Sequence, residues 1–175
     1  MRRFVFASKN SIRMRECEIS VKYFEYKSSA ELSSDYQTLV EKAKEATQQA
    51  YAPYSKFRVG AAVLLENGAI VTGTNQENAA YPSGLCAERV AIFYANSQYP
   101  DQAVKAIAVA SFFNGKFNEN PVYPCGSCRQ VLLETETRYS KPMDVIMYGS
   151  NAIQLMNGAA RLLPLSFDVD LKAKD

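Results

Sequence analysis

The chain has 175 residues, with 20 Lys+Arg, 18 Asp+Glu, four Cys and no His. That length fits one domain, and the absence of His excludes Ser-His-Asp and Cys-His catalysis, His-Glu-x-x-His zinc sites and any imidazole proton shuttle. Acid/base chemistry is left to carboxylates, Lys, Tyr, Cys or metal-bound water.

The first 15 residues carry Arg2, Arg3, Lys9, Arg13 and Arg15 with no acid, leaving 15 basic against 18 acidic groups in the remainder. A body of net charge −3 is not a nucleic-acid platform. The basic start has no long apolar segment and no small-residue cleavage site, so a secretory signal is not expected. It reads as a poorly ordered tail rather than an organelle transit peptide, with Met14 as an alternative start. No run approaches 18 apolar residues, so no transmembrane helix is expected and the setting reads as cytoplasmic. Four cysteines are too few for a disulfide scaffold, and reduced thiols or metal ligands are the better reading.

In chain order, Cys17–Tyr26 alternates loosely and is rich in β-formers, which predicts a strand. Ser33-Ser34-Asp35 offers an N-cap for a helix over Tyr36–Tyr51, whose Leu39, Val40, Ala43, Ala46 and Ala50 recur at helical spacing before Pro53. Phe57–Leu65, Asn67-Gly68 and Ala69–Asn75 read as a hairpin. A loop with Pro82 and Gly84 leads into a helix over Cys86–Gln98. Ala103–Phe112 reads as a buried strand from its continuous apolar run. A helix over Cys125–Tyr139 and a strand over Met143–Tyr148 follow, and Ala159–Phe167 is an apolar end interrupted by Pro164. This order predicts an α/β protein, a three-layer α/β/α sandwich around a central mixed five-stranded sheet. Residues 1–33 read as an N-terminal extension with room for one strand, and 34–175 as a single catalytic domain.

Cys86 and the pair Cys125/Cys128 each open a predicted helix. Free N–H groups and the positive dipole end at a helix N-terminus favour thiolate, the form that binds metal. Cys125 and Cys128 are three apart and share a face. Two such helix starts facing one another aim three sulfurs at one point, which suits one Zn²⁺ per chain with a fourth position left for water. Glu88, two residues past Cys86, is placed to take a proton from that water and pass it on. Three thiolates and a carboxylate overload the metal with negative charge, and Arg89 and, more weakly, Gln130 are candidates to draw it off. Cys17 is the remaining thiol. As a fourth ligand it would close the site and make it structural, but its place in the first strand marks it as an ordinary half-buried residue.

The pattern Cys86-Ala87-Glu88-Arg89 followed by Pro124-Cys125-Gly126-Ser127-Cys128-Arg129-Gln130 resembles the zinc-dependent cytidine deaminases. The stretches from Tyr51 to Ala62, Gly73 to Tyr81 and Leu162 to Phe167 resemble further segments of that family. The likeness spans about Ser34 to Phe167 and is nearest to the short, homotetrameric, three-cysteine type. It implies that Cys86, Cys125 and Cys128 hold zinc and that Glu88 shuttles the proton. It also implies that Phe57 packs on the pyrimidine, that Asn75 and Glu77 bind the ribose hydroxyl and that Ala87 meets the pyrimidine edge through its backbone. Tyr81 and Phe167 would reach a neighbouring subunit's site. The implied activity is hydrolysis of cytidine and 2′-deoxycytidine to uridine and deoxyuridine in pyrimidine salvage. Thr74 and Ser127 depart from the commoner Cys and Ala of the family without removing a ligand. The alternatives are a sister deaminase acting on another aminated nucleoside such as blasticidin S, an RNA-editing deaminase, which the acidic body disfavours, and a non-enzymatic module built on a closed zinc site.

Overall fold

A computed structural model describes residues 15–168, so the expectations for the basic tail before Arg15 lie outside the described residues. Among the described residues, seven strands form one sheet. They are β1 (Phe24–Tyr26), β2 (Arg58–Leu65), β3 (Ile70–Thr74), β4 (Val104–Phe113), β5 (Lys116–Phe117), β6 (Asp144–Tyr148) and β7 (Ile153–Asn157). Three helices accompany them: α1 (Ser34–Ala46), α2 (Ala87–Gln98) and α3 (Gly126–Tyr139). The sheet runs β1-β7-β6-β4-β2-β3, with β5 hairpinned onto β4. Every pairing is antiparallel except β4 with β6, which α3 connects.

The α/β sandwich is present, but the five-stranded expectation is corrected to seven. β7 occupies a stretch given no element from sequence, and β5 closes on Asn114-Gly115. Both of those residues have positive φ, 51° and 80°, the conformation of a two-residue hairpin turn. The predicted first strand is also shorter than expected. Only Phe24–Tyr26 pairs with β7, and the preceding Ile19, Val21 and Tyr23 are exposed.

α1 buries Leu39, Val40, Ala43 and Ala46, the stripe legible in the sequence, against one face of the sheet. α2 and α3 cover the other face with Ala87, Ala91, Ile92, Ala95 and Leu132. Covered on both sides, the strands carry continuous apolar stretches, Ala61–Leu65 in β2 and Ala106–Ala110 in β4. Small residues set how close the helices come. A Cβ on Gly60 would lie 2.1 Å from the Ala43 carbonyl of α1, and one on Gly73 would lie 2.4 Å from the Ala91 nitrogen of α2. Glycine at these two positions lets each helix rest directly on the strand backbone. No helix among the described residues is long and apolar enough to cross a membrane.

Candidate active site and metal centre

α2 and α3 begin at Ala87 and Gly126, so Cys86 and Cys125 are their N-cap residues and Cys128 lies in the first turn of α3. The three sulfurs lie within 4.8 Å of one another. Cys86 Sγ is 3.8 Å from Cys125 Sγ, which is 3.5 Å from Cys128 Sγ. A tetrahedral zinc with Zn–S bonds of about 2.3 Å separates its sulfurs by about 3.8 Å, so the spacing and chemistry of this donor set fit Zn²⁺. Among the described residues no fourth Cys, Asp or Glu joins the cluster, and exposed Cys17 lies outside it.

Burial is graded across the cluster. Cys128 is fully buried, Cys86 half-buried and Cys125 exposed. The Cys86 thiol is pulled well below its ordinary value, first by its hydrogen bond with Cys128 and then by Arg89, against an opposing effect of burial. The Cys128 thiol is pushed the other way, upward, by its hydrogen bond with Cys86 and by burial. Arg89 lies close enough to Cys86 and Cys128 to favour thiolate. Its Nη2 donates to Gly84 O at 3.5 Å, while its buried Nε makes no hydrogen bond among the described residues. Glu88 is only 5% exposed. Burial pushes its carboxyl up, and the negative charge on Cys86 adds to that.

A cleft of about 780 Å³ opens over the cluster, and Cys86, Cys125 and Glu88 form part of its wall. Phe57, Asn75, Glu77 and Tyr81 also line it, so residues spread from Phe57 to Cys125 share one cavity. The Phe57 ring rests on Phe113 with centroids 5.8 Å apart. Asn75 holds that end of β2 in place: its Oδ1 accepts from Val59 N at 2.8 Å and its Nδ2 donates to Phe57 O at 2.9 Å. Glu77 caps the Tyr54–Phe57 turn, accepting from Tyr54 N, Ser55 N and the Ser55 hydroxyl. These bonds, Ser55 first, hold its carboxyl below the usual range. Tyr81 stands at the rim, 78% exposed, edge-on to Tyr54.

Three candidates lie elsewhere. Ala87 is fully buried in the first turn of α2, between two cleft residues, and its side chain does not line the cavity. Phe167 is 73% exposed and outside the cleft of its own chain. Gln130 does not address the sulfurs as expected, because its Nε2 donates to Phe167 O at 2.9 Å. Sequence reasoning also missed Tyr54, Ser55 and Tyr123 as cleft residues. For Tyr123 the available signal was its place immediately before Pro124-Cys125.

The cytidine deaminase of Sporosarcina psychrophila is 49% identical over 100 residues, covering 57% of this chain and 69% of that protein. A cytidine deaminase of Mycobacterium tuberculosis is 39% identical over 100 residues, 57% of this chain and 71% of the relative. Among solved structures, the cytidine deaminase from Burkholderia pseudomallei superposes with a TM-score of 0.65 at 37% identity, covering 75% of this chain and 98% of that one. The family model describing the cytidine and deoxycytidylate deaminase zinc-binding region matches residues 33–141. That span holds the whole sulfur cluster, Glu88 and more than half of the chain, which therefore belongs to the zinc-binding cytidine and deoxycytidylate deaminase family.

Proposed function

We infer that this chain is a hydrolase that converts cytidine and 2′-deoxycytidine to uridine and deoxyuridine with release of ammonia, in keeping with its likeness to cytidine deaminases. The observation that carries the reading is a buried carboxylate, Glu88, beside an open three-cysteine cluster at the floor of a cleft large enough for a nucleoside. Zinc, when bound by Cys86, Cys125 and Cys128, lowers the pKa of water towards about 7 and so supplies a nucleophile at neutral pH.

The remaining work belongs to the chain. The C4–O bond forms and the C4–N4 bond breaks. Glu88 takes a proton from the attacking water and delivers it to ring N3, then moves the second proton to the departing amine at N4. Glu88 is nearly buried yet lines the cleft, so its carboxyl faces the bound base. Phe57 offers its ring to the pyrimidine, and Asn75 fixes Phe57 through the two backbone bonds at Phe57 and Val59. In this reading Asn75 and Glu77 meet the ribose with the hydrogen-bonding capacity left over from those turns, and the backbone at Ala87 meets the pyrimidine edge.

We also propose a homotetramer. Exposed Phe93 and Tyr94 on α2 and exposed Leu165 and Phe167 near the C-terminus are apolar surface that a second copy would cover. Phe167 and Tyr81 would then wall a neighbour's cleft. A cytoplasmic setting suits four free thiols. The test is Glu88→Gln with metal content assayed on the same sample. Cytidine turnover should fall by about 10²–10⁴ while zinc stays bound, and near-normal turnover would reject the mechanism. A substrate panel that left cytidine idle but turned over another aminated nucleoside would move the assignment to a sister deaminase.

A further inference from the structure

β1 lies outside the segment that matches the family model, yet it is linked to the cleft through Gln154 and Tyr123. Glu25 sits directly across from Gln154 in the β1–β7 register, so their side chains project from the same face. Along β7, Ile153 and Leu155 pack on the α1 side while Met156 packs on the α2/α3 side, which puts Gln154 on the face that carries the active site. Gln154 is buried, and both ends of its amide are used. Its Nε2 donates to Glu25 Oε2 at 2.8 Å, and its Oε1 accepts from the Tyr123 hydroxyl at 2.8 Å. Tyr123 lines the cleft two residues before Cys125.

The relay has a fixed direction. Glu25 can only accept, so it holds the Gln154 NH₂ group outward, turns the amide oxygen towards Tyr123 and so fixes the phenol as donor. The loop that carries Tyr123 is pinned nearby. Ser150 N donates to Asn118 O and Asn151 N to Glu119 O, and Gly149 packs so closely that a Cβ there would lie 2.6 Å from the Asn120 carbonyl carbon. The backbone is therefore set by the β6–β7 turn, and the ring by β7 and β1.

We propose that Tyr123 is a specificity residue of the cleft, and that Gln154 and Glu25 are positioning residues that hold its ring. The proposal rests on the deaminase reading, which puts the amine-bearing end of the base at the sulfur cluster. Tyr123 walls that end and meets substituents carried at C5 or N4 of the base. A loose phenol would have to be ordered each time substrate binds, which weakens binding without touching the proton transfer at Glu88.

The experiment compares four full-length chains: the unaltered protein, Glu25→Ala, Tyr123→Phe and the double variant. Glu25→Ala should raise KM for cytidine about five-fold, the worth of one ordinary hydrogen bond, with kcat and zinc content unchanged. In the Tyr123→Phe background, where no hydroxyl is left to orient, the same substitution should add almost nothing. A fifth chain, Tyr123→Ala, should raise kcat/KM for 5-methylcytidine relative to cytidine about ten-fold. Additive KM effects, an unmoved KM in Glu25→Ala or an unmoved ratio in Tyr123→Ala would overturn the proposal. Urea midpoints on the same four chains read the relay with no substrate present, and they too should be non-additive. If the unaltered chain deaminated no nucleoside while the midpoints were non-additive, the functional reading would fail and the relay would stand. Additive midpoints would sink the relay itself.

Discussion

Glu136 is a nearly buried carboxylate on α3 with no part in the chemistry, and it should be one of the costliest residues to replace. Its Oε1 accepts from Met143 N at 2.6 Å and from Ala159 N at 2.9 Å, and its Oε2 accepts from Ala160 N at 2.7 Å. One side chain thus ties α3 to the entry of β6 and to the 3-10 turn Ala159–Leu162 that leads into the C-terminal segment. Glu136→Ala strands three donors. At about 1–3 kcal/mol for each buried unsatisfied group the upper range is large, and water entering the space left should bring the net loss to about 3–5 kcal/mol. Glu136→Gln keeps the shape but turns an NH₂ towards at least one of the same donors. That loses one bond and should cost about 1–3 kcal/mol. Urea unfolding at one fixed chain concentration reads both, with an unchanged m-value required for the comparison. If both variants fall within about 0.5 kcal/mol of the parent, an ordinary surface value, the assignment of Glu136 as the tie between these elements is refuted.

Gly73→Ala should reduce turnover as well as stability. The new Cβ would lie 2.4 Å from Ala91 N, so α2 must move by about 1 Å, costing about 1–3 kcal/mol of unfolding free energy and about 100-fold in kcat/KM, because α2 carries Glu88 and begins at Cys86. Cys125→Ser should drop the zinc content well below one per chain while Cys17→Ser leaves it whole, as metal analysis of dialysed protein would show. Tyr36 has its phenol pushed up by burial and by its hydrogen bond to Asp144. The folded chain therefore holds this proton more tightly than the unfolded one. The associated stability is whole below about pH 10 and is lost as pH rises beyond it, so Tyr36→Phe should flatten the alkaline fall in the urea midpoint.

The elements that position the metal centre were legible because each carries a local signal. Leu39, Val40, Ala43 and Ala46 mark α1, Asn67-Gly68 marks a hairpin, and cysteines mark two helix starts. β7 was not legible, because its buried Gln154 breaks the apolar run and one of its two neighbours, β1, comes from distant sequence. The Asn114-Gly115 turn carries the same signal as Asn67-Gly68, but the arm that follows it pairs over only two residues and has no apolar pattern of its own. The first strand failed in the opposite sense. Cys17–Tyr23 has strand propensity, but nothing in the described chain packs on Ile19, Val21 or Tyr23, and propensity without a partner does not make a strand. Side-chain partners were the least visible layer. That Gln130 holds Phe167 O, or that Glu77 spends its oxygens on the Tyr54–Ser55 turn, depends on loops meeting in space.

The charge balance of the site explains why its parts come from helix starts. Three thiolates with Zn²⁺ carry a net −1, and Glu88 brings another −1 within reach of Cys86. A carboxylate proposed to give and take protons near neutrality tolerates such a field only if positive charge is supplied close by. The N-terminal ends of α2 and α3 supply fractional positive charge at Cys86, Cys125 and Cys128 without adding a titratable group. Arg89 adds a whole charge, and its buried Nε, with no hydrogen bond of its own, is available to the sulfurs. Lysine could not replace it well: an ammonium is a compact, strongly hydrated point charge, whereas the planar guanidinium can serve Gly84 O and two thiolates from one half-buried position. Arg89→Lys should therefore retain the charge yet weaken zinc retention in a chelator competition, and Arg89→Ala should weaken it further. Equal retention in all three chains would place the compensating charge on the helix ends alone.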